Sequence, residues 1–60
     1  MYYRIIIKDK NGNKTEEKYY TTQHFKFRLL NLQKPENKKD IKCIWYEPIN
    51  KPWERKRIDF

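Results

Sequence analysis

The chain has 60 residues, with 15 Lys and Arg against 8 Asp and Glu and a formal net charge of +7. A chain of this length forms one small domain at most. It contains no apolar window near the roughly 20 residues of a membrane span, and no apolar leader follows the N-terminus, so we expect a soluble chain that acts in the cytoplasm where it is made, away from any membrane.

The first two elements are predicted to be strands. Residues 2–9 and 13–20 flank Asn11-Gly12, which favours a two-residue type I′ hairpin turn. The competing three-residue loop would place like charges directly opposite each other, Arg4 with Lys18 and Lys8 with Lys14. Because such pairs are unfavourable, we predict the two-residue turn. One apolar face then carries Tyr3, Ile5, Ile7 and Tyr20.

Residues 21–33 fit either a helix or a strand. Thr21 and Thr22 suit a helix N-cap, and Phe25, Leu29 and Leu32 recur at helical spacing. Residues 24–29 also alternate as a strand does. The length of the segment and the Pro35 stop favour a helix, which would leave Phe27 and Leu30 on its far side.

The second half of the chain is predicted to begin with a polar loop over 34–40 and a strand over 41–47. Because an isolated hairpin is not stable in water, this strand is expected to join the sheet beneath the helix. Residues 50–60 fit a short helix near Trp53, a terminal edge strand or a loosely attached basic tail. The predicted fold is a single small α+β domain over residues 1–60, in the order ββαβ with a possible fourth strand. Its apolar core is expected to use Tyr3, Tyr20, Phe25, Leu29, Ile44 and one of the tryptophans.

The residue inventory argues against catalysis. The chain has no Ser and a single Gly, Cys and His. Serine nucleophiles, glycine-rich phosphate loops and the usual closed zinc site are therefore excluded. Cys43 lies in an apolar run and is interpreted as a small buried side chain. We expect a protein that is not an enzyme and uses no cofactor or metal ion.

Cations interleaved with aromatic residues are the main functional signal. Basic side chains contact phosphates, and exposed aromatic rings stack on unpaired bases. Lys, Asn, Ile, Tyr and Phe make up 31 of the 60 residues, an AT-rich codon bias that explains part of the charge. The best candidate contact surface is Arg55, Lys56 and Arg57 beside Trp53. The supporting candidates are Arg4, Lys8, Lys26 and Arg28.

The order of these features resembles small accessory proteins of phages and mobile elements in low-GC bacteria. The resemblance lies in the Asn-Gly turn, the Tyr-rich second strand, the Thr-Thr helix start and the closing strand over 40–47. It implies action by binding DNA or a host protein, and the group includes anti-CRISPR-type inhibitors. The hairpin-then-helix order is also similar to the arm-binding domains of tyrosine integrases, which lay a three-stranded sheet on DNA, whereas this chain has two strands before its helix.

The leading hypothesis is a basic binding protein that engages nucleic acid or a nucleoprotein in a bacterial host cell. The alternative is a protein–protein inhibitor that docks on an acidic surface of a host or defence enzyme. A third possibility is a homodimer formed through an exposed edge strand.

Overall fold

One antiparallel sheet and one helix make up most of the domain. The computed structural model describes residues 2–60. The strands are β1 (Tyr3–Asp9), β2 (Lys14–Tyr19), β3 (Ile41–Pro48) and β4 (Lys56–Asp59), and they lie in the order β2-β1-β3-β4. The helices are α1 (Thr22–Leu32) and the single-turn α2 (Pro35–Lys38), and a 3₁₀ turn at Pro52–Glu54 precedes β4. The predicted α+β class is confirmed, and a fourth strand is present.

Helix α1 begins where the sequence indicated. The Thr21 side chain accepts a hydrogen bond from the His24 backbone N–H at 3.2 Å, which is the contact expected of an N-cap threonine. Phe25 and Leu32 are buried, whereas Phe27 is 61% exposed on the far side of the helix. The helical interpretation of residues 21–33 is therefore confirmed.

The apolar core lies between α1 and one face of the sheet. Its buried members are Ile5, Phe25, Leu32, Ile41 and Ile44. Partly buried side chains pack around them, namely Tyr3, Ile7, Tyr19, Leu29, Tyr46 and Ile58. Tyr20, which was expected in the core, is 68% exposed because β2 ends one residue before it.

The predicted two-residue hairpin turn is wrong. Lys8 pairs with Lys14, and the Asp9 N–H donates to the Asn13 carbonyl at 3.0 Å, so the loop has three residues. A type I′ turn needs positive φ at both central residues, but among residues 2–60 only Gly12 has it, at 91°. The Asp9 carboxylate also accepts bonds from the N–H groups of Asn11 and Asn13, each at 2.9 Å, and stabilises the longer loop.

This register exchanges the two faces of β2 relative to the prediction, since a shift of one residue turns every side chain over. Glu17 and Tyr19 now point toward α1. Arg28 donates to both Glu17 oxygens at 2.9 and 3.0 Å, and the Tyr19 hydroxyl donates to Glu17 at 2.7 Å. The hydrogen bonds from Arg28 hold the Glu17 pKa below its ordinary value. The observed register therefore places cations opposite each other on one face of β1 and β2. On the other face it allows Glu17, Tyr19 and Arg28 to form a hydrogen-bonded cluster.

The segment predicted as a polar loop over 34–40 contains α2 instead. Pro35 occupies its first turn, where the missing proline N–H is not needed, and Glu36 lies in the same turn. Within residues 2–60, neither helix is long and apolar enough to cross a membrane.

Candidate functional site

The face of the sheet turned away from α1, called the open face below, is rich in charge. Strand alternation and the pairing register place eleven side chains on it. They are Arg4, Ile6, Lys8, Lys14, Glu16, Lys18, Cys43, Trp45, Glu47, Arg57 and Asp59. Cys43 is 1% exposed, which confirms its interpretation as a small buried residue.

Two pairs of cations lie directly opposite each other on the open face. Arg4 faces Lys18, and Lys8 faces Lys14, across β1 and β2. Directly opposed like charges on neighbouring strands destabilise a sheet. Within residues 2–60, Lys8 and Lys18 form no ion pair that would offset this repulsion.

Trp45 lies near the middle of the open face. It is paired with Ile6 on β1 and with Arg57 on β4. The Lys14 Nζ and the Arg57 Cζ each lie 5.4 Å from the centre of its ring, within the range of a cation–π contact. Trp45 was not among the predicted site residues. The alternation of Cys43, Trp45 and Glu47 against Ile44 and Tyr46 was the available signal.

A buried carboxylate organises one end of the open face. Glu47 is 2% exposed, and its Oε1 accepts from Arg55 at 2.8 Å and from Arg4 at 3.4 Å. Arg4 Nε lies 2.9 Å from Glu16 Oε1, an ion pair without hydrogen-bond alignment. The bond from Arg55 lowers the Glu47 pKa, against the opposing effect of burial. Glu47 therefore stays ionised at neutral pH and holds two guanidinium groups in place.

The acids of the open face are matched to arginines. Glu16 and Glu47 contact Arg4, and Asp59 lies 2.8 Å from Arg57. The lysines on the same face form none of these ion pairs. The charge left over is consequently positive and carried by lysine.

The predicted site residues do not form one surface. Arg4, Lys8 and Arg57 lie on the open face, and Arg55 reaches it through Glu47. Arg28 is engaged by Glu17 and Asn31 on the other side of the sheet. Lys26 is exposed on α1. The last two predicted residues, Lys56 and Trp53, line a cleft described next.

A cleft of about 490 Å³, called the aromatic cleft below, opens between α1 and the 3₁₀ turn. The lining comes from β1, α1 and β3, through Tyr3, Phe25, Tyr46 and Pro48, and from the segment that holds Trp53, Glu54, Arg55 and Lys56. Tyr3 and Phe25 are stacked with ring centres 4.3 Å apart, and Trp53 is 77% exposed.

Comparison with known proteins adds no assignment. No protein-family model, no curated protein and no solved structure matches the chain. Within residues 2–60, no three His, Cys, Asp or Glu side chains are grouped so that they could hold a metal ion.

Proposed function

We propose that this chain is a small non-enzymatic protein that binds nucleic acid through its open face. The two opposed cation pairs, Arg4 with Lys18 and Lys8 with Lys14, are the observation that carries this proposal. A phage or mobile-element origin and action inside a bacterial cell are part of the same proposal.

The cation pairs favour a polyanionic ligand because they are a cost to the free protein. Lys8 and Lys14 hold like charges at the spacing of directly opposed side chains, and neither forms an ion pair within residues 2–60. Lys18 is likewise without an ion pair there, although Glu16 and Glu47 offset the charge of Arg4 opposite it. A phosphate chain laid across β1 and β2 relieves this repulsion and releases counterions on binding. Departures from local stability rules of this kind are expected at functional sites.

The remaining groups of the open face support the same ligand. Its acids are already paired with arginines, so they repel phosphates less than isolated carboxylates would. Trp45 is half-buried and has two cations over its ring, so these cations and the exposed part of the side chain are available together to a sugar and its phosphate. The face therefore combines basic groups and an aromatic residue, the combination that sheet surfaces use to bind nucleic acid.

The proposal is tested by fluorescence anisotropy with a labelled 20-nucleotide strand over a series of salt concentrations. We expect binding that weakens with salt. The variant carrying Lys8→Gln and Lys14→Gln should lower the slope of log affinity against log salt by about 1.5, since each lost phosphate contact removes roughly 0.7 to 0.9.

A matched control carries Lys26→Gln and Lys34→Gln, which remove the same charge from exposed positions on α1 and at the start of α2. Its slope should stay close to that of the natural sequence. Equal loss in both variants, or no binding at low salt, contradicts the proposal. So does equal affinity for polyglutamate and the strand at matched charge, the result expected of a protein that docks on acidic protein surfaces.

A further inference from the structure

The aromatic cleft lies outside the open face and has a different composition. We infer that it takes an unpaired base, so that the ligand of this chain is a single strand and not a duplex. This inference rests on the proposed function and names the class of nucleic acid bound.

The lining of the aromatic cleft suits a flat ring. Trp53 stands at the rim with 77% of its surface exposed and is not part of the apolar core. Tyr46 and the nearly buried Phe25 also line the cleft, with ring centres 5.8 Å apart and planes tilted by 52°. A volume of about 490 Å³ falls within the range of small-molecule sites. Aromatic side chains stack on any base because every base has a π face.

The charges at the rim distinguish a nucleotide from an apolar peptide. Arg55 and Lys56 line the aromatic cleft, and Glu54 is the one acid among its lining residues. Lys56 forms no ion pair within residues 2–60. A cationic rim around an aromatic interior matches a base that carries its own phosphate.

Arg55 connects the aromatic cleft to the open face. The residue lines the cleft, while its guanidinium donates to Glu47 on the open face at 2.8 Å. Because Arg4 shares Glu47 with Arg55, a strand seated in the cleft can reach the open face beside these two arginines and continue across β1 toward Lys18 on β2. A duplex cannot follow this route without unpairing, because its bases are extruded only at the expense of stacking and pairing.

The inference is tested by comparing three ligands of equal length. They are a 12-nucleotide dT strand, the same deoxyribose-phosphate chain without bases, and a 12-base-pair duplex. We expect the dT strand to bind about tenfold or more tightly than the baseless chain, since stacking on an aromatic residue favours each stacked base. The duplex should bind more weakly than the dT strand.

Trp53→Ala should remove most of this preference for bases while leaving affinity for the baseless chain unchanged. Trp53→Phe, which retains an aromatic face, should restore part of it. Phe27→Ala is the matched control, because Phe27 is also an exposed aromatic residue but lies on the outer side of α1. Thermal unfolding of all variants should coincide within a few degrees, since neither ring is buried.

The outcomes separate this inference from the proposed function. Salt-dependent binding that is equal for the dT strand and the baseless chain overturns the inference and leaves the open face as the site. Equal effects of Trp53→Ala and Phe27→Ala, or tighter binding of the duplex, do the same. A Trp53 indole N–H resonance that shifts with a proline-rich peptide and not with dT assigns the aromatic cleft to a peptide and also overturns it.

Discussion

The two faces of this sheet differ in whether their charged side chains have partners of opposite charge. On the face toward α1, the Glu17 carboxylate is bound by Arg28 and Tyr19 at the border of the apolar core. On the open face, Lys8 faces Lys14 with no acid between them. The comparison teaches that the fold pairs the carboxylate bordering its core with arginine and leaves lysines without ion pairs on its open face.

Each face nevertheless contains one carboxylate held by arginine. Glu17 receives two bonds from a single guanidinium, a geometry that fixes α1 against β2. Glu47 is shared by Arg4 and Arg55, and its Oε2 is buried without a hydrogen-bond partner. The first cluster joins two elements of the fold, and the second positions cations on a surface.

The largest difference in stability is expected between substitutions of two phenylalanines of α1. Phe25 is 7% exposed in the core and Phe27 is 61% exposed. Phe25→Ala should reduce the free energy of unfolding by about 3–5 kcal/mol, enough to unfold much of so small a domain. Phe27→Ala should change it by less than about 0.5 kcal/mol. Urea unfolding followed by circular dichroism measures both, and similar losses would contradict the assignment of the covered face.

The next largest effect is the dependence of stability on pH, which comes from the carboxylates on the two faces. Arginine hydrogen bonds lower the pKa of both Glu17 and Glu47. A carboxyl group whose pKa is lowered in the folded state stabilises the protein at pH values above its ordinary pKa of about 4.3. This stabilisation is lost as the pH falls below that value and through the lowered pKa. Unfolding free energy should therefore be steady near neutral pH and decline in acid.

Glu47→Gln sharpens this prediction. It should reduce stability at pH 7 by roughly 1–3 kcal/mol, because the buried acceptor loses its charge beneath two guanidinium groups. It should also make the decline in acid shallower, since one of the two lowered pKa values is removed. Urea midpoints at pH 7 and in acid test this. Parallel pH profiles for the variant and the natural sequence would show that Glu47 does not contribute.

A smaller effect is expected at the hairpin turn that sets which side chains reach each face. Gly12 has φ at 91°, and a Cβ there would meet no atom within 4 Å. The cost of Gly12→Ala is thus purely one of backbone conformation, about 1–2 kcal/mol. Lys10→Ala in the same loop provides the control and should be nearly neutral. A thermal midpoint equal to that of the control would refute the positive φ at Gly12.

The smallest predicted effect is a gain in stability, whereas the changes above reduce it. Lys8→Glu places an acid opposite Lys14 on the open face and should stabilise the fold by roughly 0.2–1 kcal/mol. The same change should weaken oligonucleotide binding, because it replaces a cation with an anion at the proposed interface. Lys26→Glu on α1 is the matched control for binding. A variant that loses stability would indicate that the cation pairs are not a cost to the free protein.

The sequence predicted the elements better than their pairing. The helical spacing of Phe25 and Leu32 and the β-branched, aromatic strand over 41–47 identified their elements because these signals are local. The hairpin was mispredicted because the like-charge rule considered β1 and β2 alone. In the fold, Arg4 turns to Glu47 on β3, and Glu17 is bound by Arg28 on α1. Neither partner is visible from the hairpin sequence.

The candidate site on the open face was also predicted only in part, because its residues come from strands distant in sequence. Arg55 and Arg57 belong to the basic segment that the sequence singled out, and they do lie near Trp45 and Glu47. Lys56 faces the other way because side chains alternate along β4. A run of adjacent cations on a strand is split between two surfaces, which composition alone does not reveal. The buried position of Glu47 depends on the packing of Arg4 and Arg55 over it.

The three-residue loop that ends at Gly12 makes the conformation of the turn a determinant of binding chemistry. With the same sequence, a two-residue turn would pair Asp9 with Lys14, turn β2 over and carry Lys14 and Lys18 beneath the helix, while Glu17 and Tyr19 would emerge on the opposite side. The turn conformation alone would thus exchange the surface offered to a ligand without altering any residue of the strand itself. Substitutions in the loop that favour a two-residue turn should therefore alter binding although they lie outside the strands.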